Sequence, residues 1–192
     1  MGLLEQLIKK VQEWNMKKEF FIHFSFCFFL FFIISIFKKW TNLSFWPFWL
    51  GGFVGTFLVD LDHLVYVYLL RPQELISQRV NYLMGQRNVR KSLELLYESR
   101  YERGNLIFHT VTFQAIFIVL AFLIITSSGS ILGKGIVIAG LLHLIVDEFV
   151  DFSVVGNLDN WFRQIPVTID RERTRIFLAL NVIIFLLFSL AL

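Results

Sequence analysis

The chain has 192 residues, of which 56% are hydrophobic and only 17% are charged, so its composition excludes an ordinary soluble domain. The net charge of +3 does not indicate a nucleic-acid partner, because basic residues in so apolar a chain first report membrane topology. The single cysteine, Cys27, excludes a disulfide framework and a cysteine zinc cluster. The composition therefore predicts an integral membrane protein whose metal ligands, if any, are nitrogen and oxygen atoms.

Apolar segments long enough to cross a bilayer as helices follow one another along the chain, each with roughly the 17–25 residues required. They lie at residues 20–37, 45–70, 106–126, 131–149 and 176–192. Residues 1–19 combine apolar side chains at helical spacing with lysines, which predicts an amphipathic helix on the membrane surface. The polar segment 71–104 predicts one or two cytoplasmic amphipathic helices. We therefore expect one all-α domain, a bundle of about five transmembrane helices.

Four histidines are the most informative polar residues, because the predicted spans place all of them near the cytoplasmic ends of four helices. They are His23, His63, His109 and His143. Histidines scattered through a core have no reason to share a depth across helices that alternate in direction, whereas a site between the helices requires it. The sequence therefore predicts that the four imidazoles converge.

Carboxylates accompany these histidines at helical spacing. His143 and Asp147 are four residues apart and share a helix face, which Asp151 extends by another turn. A carboxylate at the centre of a spanning helix costs roughly 2.5–3.5 kcal/mol, so such groups are functional candidates. Mixed imidazole and carboxylate ligation favours zinc, manganese or iron over magnesium or calcium, with zinc the first choice.

The stretch FLVDLDHLVYV adds a second set of candidates. Asp60 and His63 are three residues apart and share a face, but Asp62 lies about 200° around an ideal helix from Asp60. Asp62 therefore either belongs to a local distortion or orients a histidine ligand from outside the metal shell.

Simpler explanations remain open for some residues. A lone histidine such as His23 can form a hydrogen bond between helices without binding metal. Glu148 and Asp151 are predicted near the membrane interface, where a carboxylate stays hydrated at little free-energy cost. Gly51 and Gly55 form a G-x-x-x-G pattern, which indicates close helix packing.

The runs GTFLVDLDHL, IFHT and GLLHLIVDEFVD resemble the glycine, P-D-x-D-H, H-S and H-x-x-x-D signatures of the YdjM-like family of inner-membrane metal-dependent hydrolases. That family is distantly similar to the zinc-dependent phospholipase C and nuclease superfamily, all-α enzymes that hold metals with His, Asp and H-x-x-x-D pairs. The resemblance covers residues 20–152 in order. It implies a protein of the prokaryotic inner (plasma) membrane.

The resemblance also implies roles for individual residues. The metal-ligand candidates it carries over, together with the added candidate Asp151, are Asp60, His63, His109, His143, Asp147, His23 and Asp151. Asp62 belongs to the first cluster, with Asp60, and both are catalytic candidates. Val59 replaces a proline common in the family, and the second region has one histidine where relatives often have two. We therefore expect one or two divalent transition-metal ions rather than three.

These observations together predict a membrane-embedded metal-dependent hydrolase that acts on a phosphoester of a lipid or lipid-linked substrate. Arg103, just before the third span, is the candidate for holding the phosphate. Two alternatives remain open: a proton or metal-ion pathway, which also uses intramembrane carboxylates and histidines, and a non-catalytic scaffold stabilised by metal. No inverted repeat or pair of broken helices supports the first alternative.

Membrane orientation is testable directly. With a cytoplasmic N-terminus, 15 of the 18 lysines and arginines fall on the cytoplasmic side, and five spans then put the C-terminus outside. We expect a C-terminal alkaline phosphatase fusion to be active and a C-terminal fluorescent fusion that folds only in the cytoplasm to be dark. The reverse result would contradict the five-span topology and the common depth of the histidines.

Overall fold

A computed structural model describes residues 16–99, 103, 106–166 and 169–192, and every regular element among them is helical. The helices are α1 (Met16–Phe37), α2 (Trp46–Leu58), α3 (Leu61–Val65), α4 (Leu75–Gly85), α5 (Val89–Glu98), α6 (Val111–Ser127), α7 (Ile131–Val154), α8 (Asp159–Phe162) and α9 (Arg171–Ala191). The predicted all-α class is confirmed. The predicted surface helix of residues 1–19 lies mostly outside the described residues.

Two helical stretches of the described chain are long and apolar enough to cross a membrane. They are Leu43–Leu70, with 28 residues, and Arg171–Ala191, with 21. Two shorter apolar helices, Phe21–Phe37 and Val111–Ser127, accompany them. Helix α7 carries Lys134 and three carboxylates within its 24 residues, which makes it less apolar than the others.

Helix α7 forms the centre of the bundle. Every residue from Val137 to Glu148 is buried, and α7 packs against α1, α2, α6 and α9. Ionisable side chains in an apolar helix are costly when they face lipid, so the carboxylates of α7 favour a position inside the bundle. His143 and Asp147 are therefore held in the core, where each of their polar atoms needs a partner.

Glycines let α2 and α7 cross at close range. A Cβ atom at Gly51 would overlap the carbonyl oxygen of Leu132, and one at Gly55 would overlap that of Ile136. On the facing helix, Gly135 lies against the Phe48 carbonyl in the same way. The G-x-x-x-G pattern thus has the packing role that the sequence predicts, and it brings the end of α2 next to His143 on α7.

The helical stretch Leu43–Leu70 is interrupted where its polar residues begin. Helix α2 ends at Leu58, and the amides of Asp62 and His63 then bond to the carbonyls three residues before them, at 3.2 and 3.1 Å. After α3 the chain forms a π-helical turn over Tyr66–Leu70. The predicted single helix over 45–70 is therefore distorted on both sides of Asp62 and His63, as helices often are at functional sites.

The polar segment after this stretch forms the hairpin of α4 and α5. Its apolar side chains pack with the π-helical turn in a small core that includes Tyr66, Val80 and Leu96. The Tyr66 hydroxyl donates to Glu74 Oε2 at 2.5 Å. The hairpin is thereby fixed to the end of the bundle at which the polar residues converge.

The helix crossing yields a stability prediction. The change Gly55→Val should lower the thermal midpoint of the detergent-purified protein by roughly 2–12 °C, because overpacking costs about 1–3 kcal/mol. Gly129→Ala is the matched control, since a Cβ there meets no atom within 4 Å. An unchanged midpoint for Gly55→Val would show that the two backbones do not cross at this distance.

Candidate metal centre

Asp147 is the common partner of three histidines. Its Oδ1 lies 3.0 Å from His23 Nε2, and its Oδ2 lies 3.1 Å from both His109 Nε2 and His143 Nε2. His23 comes from α1, His109 from the loop before α6, and His143 from α7, one turn before Asp147 itself. One carboxylate thus joins three parts of the chain.

The candidate ligands form two groups, each with ligand atoms within 4.8 Å of one another. One group contains His23, His143 and Asp147, and the other contains Asp60, His63 and His109. The groups adjoin, because Asp147 also contacts His109 and Asp60 Oδ1 lies 3.5 Å from His143 Nε2. Each group could hold one metal ion, and the carboxylates of Asp147 and Asp60 each contact a histidine of the other group.

Buried ring nitrogens of His63 and His143 lack a hydrogen bond to the described residues. His63 Nδ1 and both ring nitrogens of His143 are buried in this state. His143 Nε2 lies near two carboxylate oxygens without hydrogen-bond geometry to either. Buried polar atoms normally have partners, and nitrogen and oxygen atoms that converge without bonding one another suit a shared cation. The two groups could therefore hold a metal ion.

Asp62 is fully buried and its oxygens are already used. They accept hydrogen bonds from the backbone amides of Ile107, Phe108 and His109, at 3.0, 2.6 and 3.3 Å. His109 Nδ1 lies 3.2 Å from Asp62 Oδ2, so the opposite ring nitrogen faces Asp147. This is the arrangement in which a carboxylate outside the metal shell fixes the orientation of a histidine ligand.

Asp60 differs from Asp62 in its exposure. Its side chain is 42% exposed, whereas that of Asp62 is 0% exposed and that of Asp147 is 12% exposed. Asp60 is therefore the most exposed of the three aspartates at the centre. It can take part in proton transfer, a role that requires contact with water or substrate.

Two predicted site residues lie at the edge of the centre. Asp151 is outside both ligand groups and accepts a hydrogen bond from Trp161 Nε1 at 2.8 Å, while the Trp161 ring packs 5.7 Å from the His109 ring. Arg103 is 3% exposed, and it donates to Ser99 Oγ and to the Leu96 carbonyl at the end of α5. These contacts hold the surroundings of the centre, and phosphate binding by Arg103 stays a prediction.

A second buried polar cluster was not predicted from the sequence. Glu148, predicted to lie near the interface, is 0% exposed, and Asn181 Nδ2 donates to its two oxygens at 3.2 and 3.0 Å. Gln114 hydrogen-bonds the same carboxyl, so α6, α7 and α9 meet here. The sequence feature that could have indicated this cluster is the single amide side chain in each of two apolar helices, Gln114 in α6 and Asn181 in α9. Such residues in membrane helices usually bond across to a neighbour.

A cavity of about 420 Å³ is lined by both polar and apolar side chains of the described residues, with no candidate metal ligand among them. Its lining includes Arg71, Arg163 and the amide side chains of Asn160 and Gln164. Ile107 also lines it, and the amide of this residue donates to Asp62. The cavity therefore shares a wall with the segment that carries His109.

Comparison with known proteins leaves these residues as the basis for assigning a function. No family model, no curated protein and no solved structure matches the chain.

Metal content tests the centre. We expect the purified protein to hold at least one transition-metal ion, and Asp147→Ala to remove most of it, because that carboxylate contacts three histidines. Asp151→Asn should retain the metal, since Asp151 lies outside both groups. Elemental mass spectrometry of protein purified without chelators measures both. Stoichiometric metal in an Asp60→Ala, His143→Ala double variant would mean that the ligands lie elsewhere.

Proposed function

We propose that the protein is a membrane-embedded, metal-dependent hydrolase that cleaves a phosphoester of a lipid or lipid-linked substrate. The observation that supports this most is the convergence of four histidines and two carboxylates around shared positions, with one carboxylate, Asp60, exposed. The motif resemblance to YdjM-like hydrolases agrees with it. Burying so many ionisable groups without a cation would be costly, which favours a bound metal over a purely structural cluster.

Zinc is the metal we favour, in one or two copies, and a bound zinc supplies a Lewis acid that polarises phosphoryl oxygens and lowers the pKa of water. His23, His143 and Asp147 would hold one ion, and Asp60, His63 and His109 the other. The protein's own contribution is orientation and proton transfer.

Asp62 keeps the His109 ring in place through its contact with Nδ1. Asp60, the most exposed of the three aspartates, takes the proton from the attacking water with the carboxylate oxygen that does not face His143, and it returns this proton to the leaving-group oxygen as the phosphorus–oxygen bond breaks. Because the backbone amides and His109 occupy the oxygens of Asp62, we assign it the orienting role and not that of the base.

The cavity whose lining includes Arg71 and Arg163 is the proposed place for the substrate headgroup. Arg71 and Arg163 supply positive charge there, and arginine suits phosphate because its planar fork can bond two oxygens at once. Thr110, next to His109, lines the same cavity. A phosphate held by these arginines would lie beside the segment that carries His109, a member of the group that contains Asp60.

We further propose that the bundle crosses a prokaryotic inner membrane with α1, α6 and α7 as spans in addition to the two long apolar stretches. Large apolar side chains exposed on α1, α2, α6 and α9 support this. A continuous apolar surface of this kind is unfavourable in water and favours contact with lipid. The site then lies near the cytoplasmic interface, where a lipid headgroup enters from the side.

Turnover tests the function. Metal-loaded wild-type protein should hydrolyse at least one member of a panel of lipid and lipid-linked phosphoesters, and chelation should abolish the reaction. Asp62→Asn should reduce turnover by roughly 10- to 100-fold, the usual loss when the group that orients a metal ligand is removed. Asp159→Asn is the matched control, since Asp159 is exposed at the start of α8.

The two rival hypotheses, an ion pathway and a metal-stabilised scaffold, predict different results in these assays. If the metal-loaded protein hydrolyses nothing on the panel, yet proteoliposomes move protons or metal ions in a way that requires Asp60 and Asp147, an ion pathway replaces the hydrolase. If neither activity is found while metal binding raises the thermal midpoint, the scaffold reading replaces both.

A further inference from the structure

An apolar groove of about 160 Å³ runs between α1 and α2. Aromatic rings form most of its walls, from Phe24, Phe28, Phe31, Trp49, Phe53 and Phe57. Gly52 contributes space, since a Cβ there would overlap the Phe31 ring. An apolar cavity of about 150 Å³ stays dry and accepts a molecule the size of benzene, so this groove has room for a hydrocarbon segment.

One end of the groove lies within about one helical turn, along each helix, of a candidate ligand. Phe24 follows His23 directly on α1, and Cys27 lies one turn further. On the other wall, Thr56 donates to the Gly52 carbonyl at 2.8 Å and stands four residues before Asp60. Both walls therefore lead to candidate ligands, one in each group, and the wall on α2 leads to the exposed carboxylate.

The direction of the groove matches that of a lipid chain. From the centre it extends along α1 from Phe24 to Phe31, which is about 10 Å of helix. In the predicted topology this path leads from the cytoplasmic interface toward the middle of the bilayer. A lipid of the cytoplasmic leaflet with its headgroup at the centre would have its chains pointing the same way.

We propose that this groove binds one acyl chain of a glycerophospholipid while the phosphoester of the same molecule lies at the metal centre. The proposal rests on the proposed function and names its substrate class. An unbranched acyl chain is the narrowest hydrocarbon that a bilayer offers, and a groove of about 160 Å³ has room for a segment of one such chain. Phe28 and Phe53, 47% and 56% exposed, leave its side open to the bilayer, so a chain enters laterally without leaving the apolar phase.

Cys27 provides the test, because it lines the groove and is the only cysteine in the chain. Hexyl methanethiosulfonate would attach a hydrocarbon chain to its sulfur through a disulfide, releasing methanesulfinate and filling the groove. The methyl reagent attaches the same disulfide with a single carbon and is the matched control. Cys27→Ser protein controls for effects of either reagent elsewhere.

The readout is photocrosslinking to a phospholipid that carries a diazirine in its acyl chain. We expect crosslinks to groove residues in the methyl-treated and Cys27→Ser proteins, a fall to background after hexyl treatment, and recovery after reduction of the disulfide. Crosslinking that the hexyl chain leaves unchanged would overturn the proposal. Stronger labelling by a matched isoprenyl probe would overturn its assignment to an acyl chain.

Hydrolysis separates this inference from the function on which it rests. Hexyl treatment should abolish turnover of a long-chain phospholipid and spare that of a water-soluble phosphoester, because only the former needs the groove. Equal loss of both would contradict the groove's role in substrate binding. If neither substrate is hydrolysed by untreated protein, the proposed function fails, and crosslinking alone decides whether the groove binds acyl chains.

Discussion

The structure depends on one buried carboxylate. Asp147 lies on the central helix, where an unpaired charge would cost several kcal/mol, and it is stabilised because histidines from α1, from the loop before α6 and from α7 itself surround it. His109 and His143 are held by further contacts, His109 by Asp62 and His143 by its place in the buried helix. Removing the carboxylate would therefore affect helices that are far apart in sequence.

The second determinant is the close crossing of α2 and α7. The glycines allow the backbones to touch, and the chain after α2 then turns sharply enough to direct Asp60 toward His143 while Asp62 faces away, toward His109. On a regular helix these two aspartates would also point in nearly opposite directions. The tightened turn at Asp60 and the π-helical turn after α3 let the same short stretch contribute to both sides of the centre.

Three features lie close to the candidate ligands. An aromatic groove lies between α1, which carries His23, and α2, which ends shortly before Asp60. A cavity with two arginines in its lining lies beside the segment that carries His109. Glu148 bonds amide side chains of α6 and α9 and ties these helices to the central helix. The central helix thus carries both candidate metal ligands and a second buried polar cluster.

The sequence by itself determined the helical class and the shared face of His143 and Asp147, because apolar run length and the 3.6-residue period are local properties. The common depth of four apolar runs predicted only that the histidines converge, and the packing of the helices decided which of them group together. The spacing left open whether Asp62 belongs to a local distortion or orients a histidine, and the structure has both a tightened turn there and a contact with His109. That contact depends on tertiary structure, since the amides of residues 107–109 that occupy the Asp62 oxygens are 45 or more positions away. The same holds for Glu148, which a local pattern places near solvent and which the packing of α9 buries. Burial and partner choice depend on which helices become neighbours, and no local period encodes that.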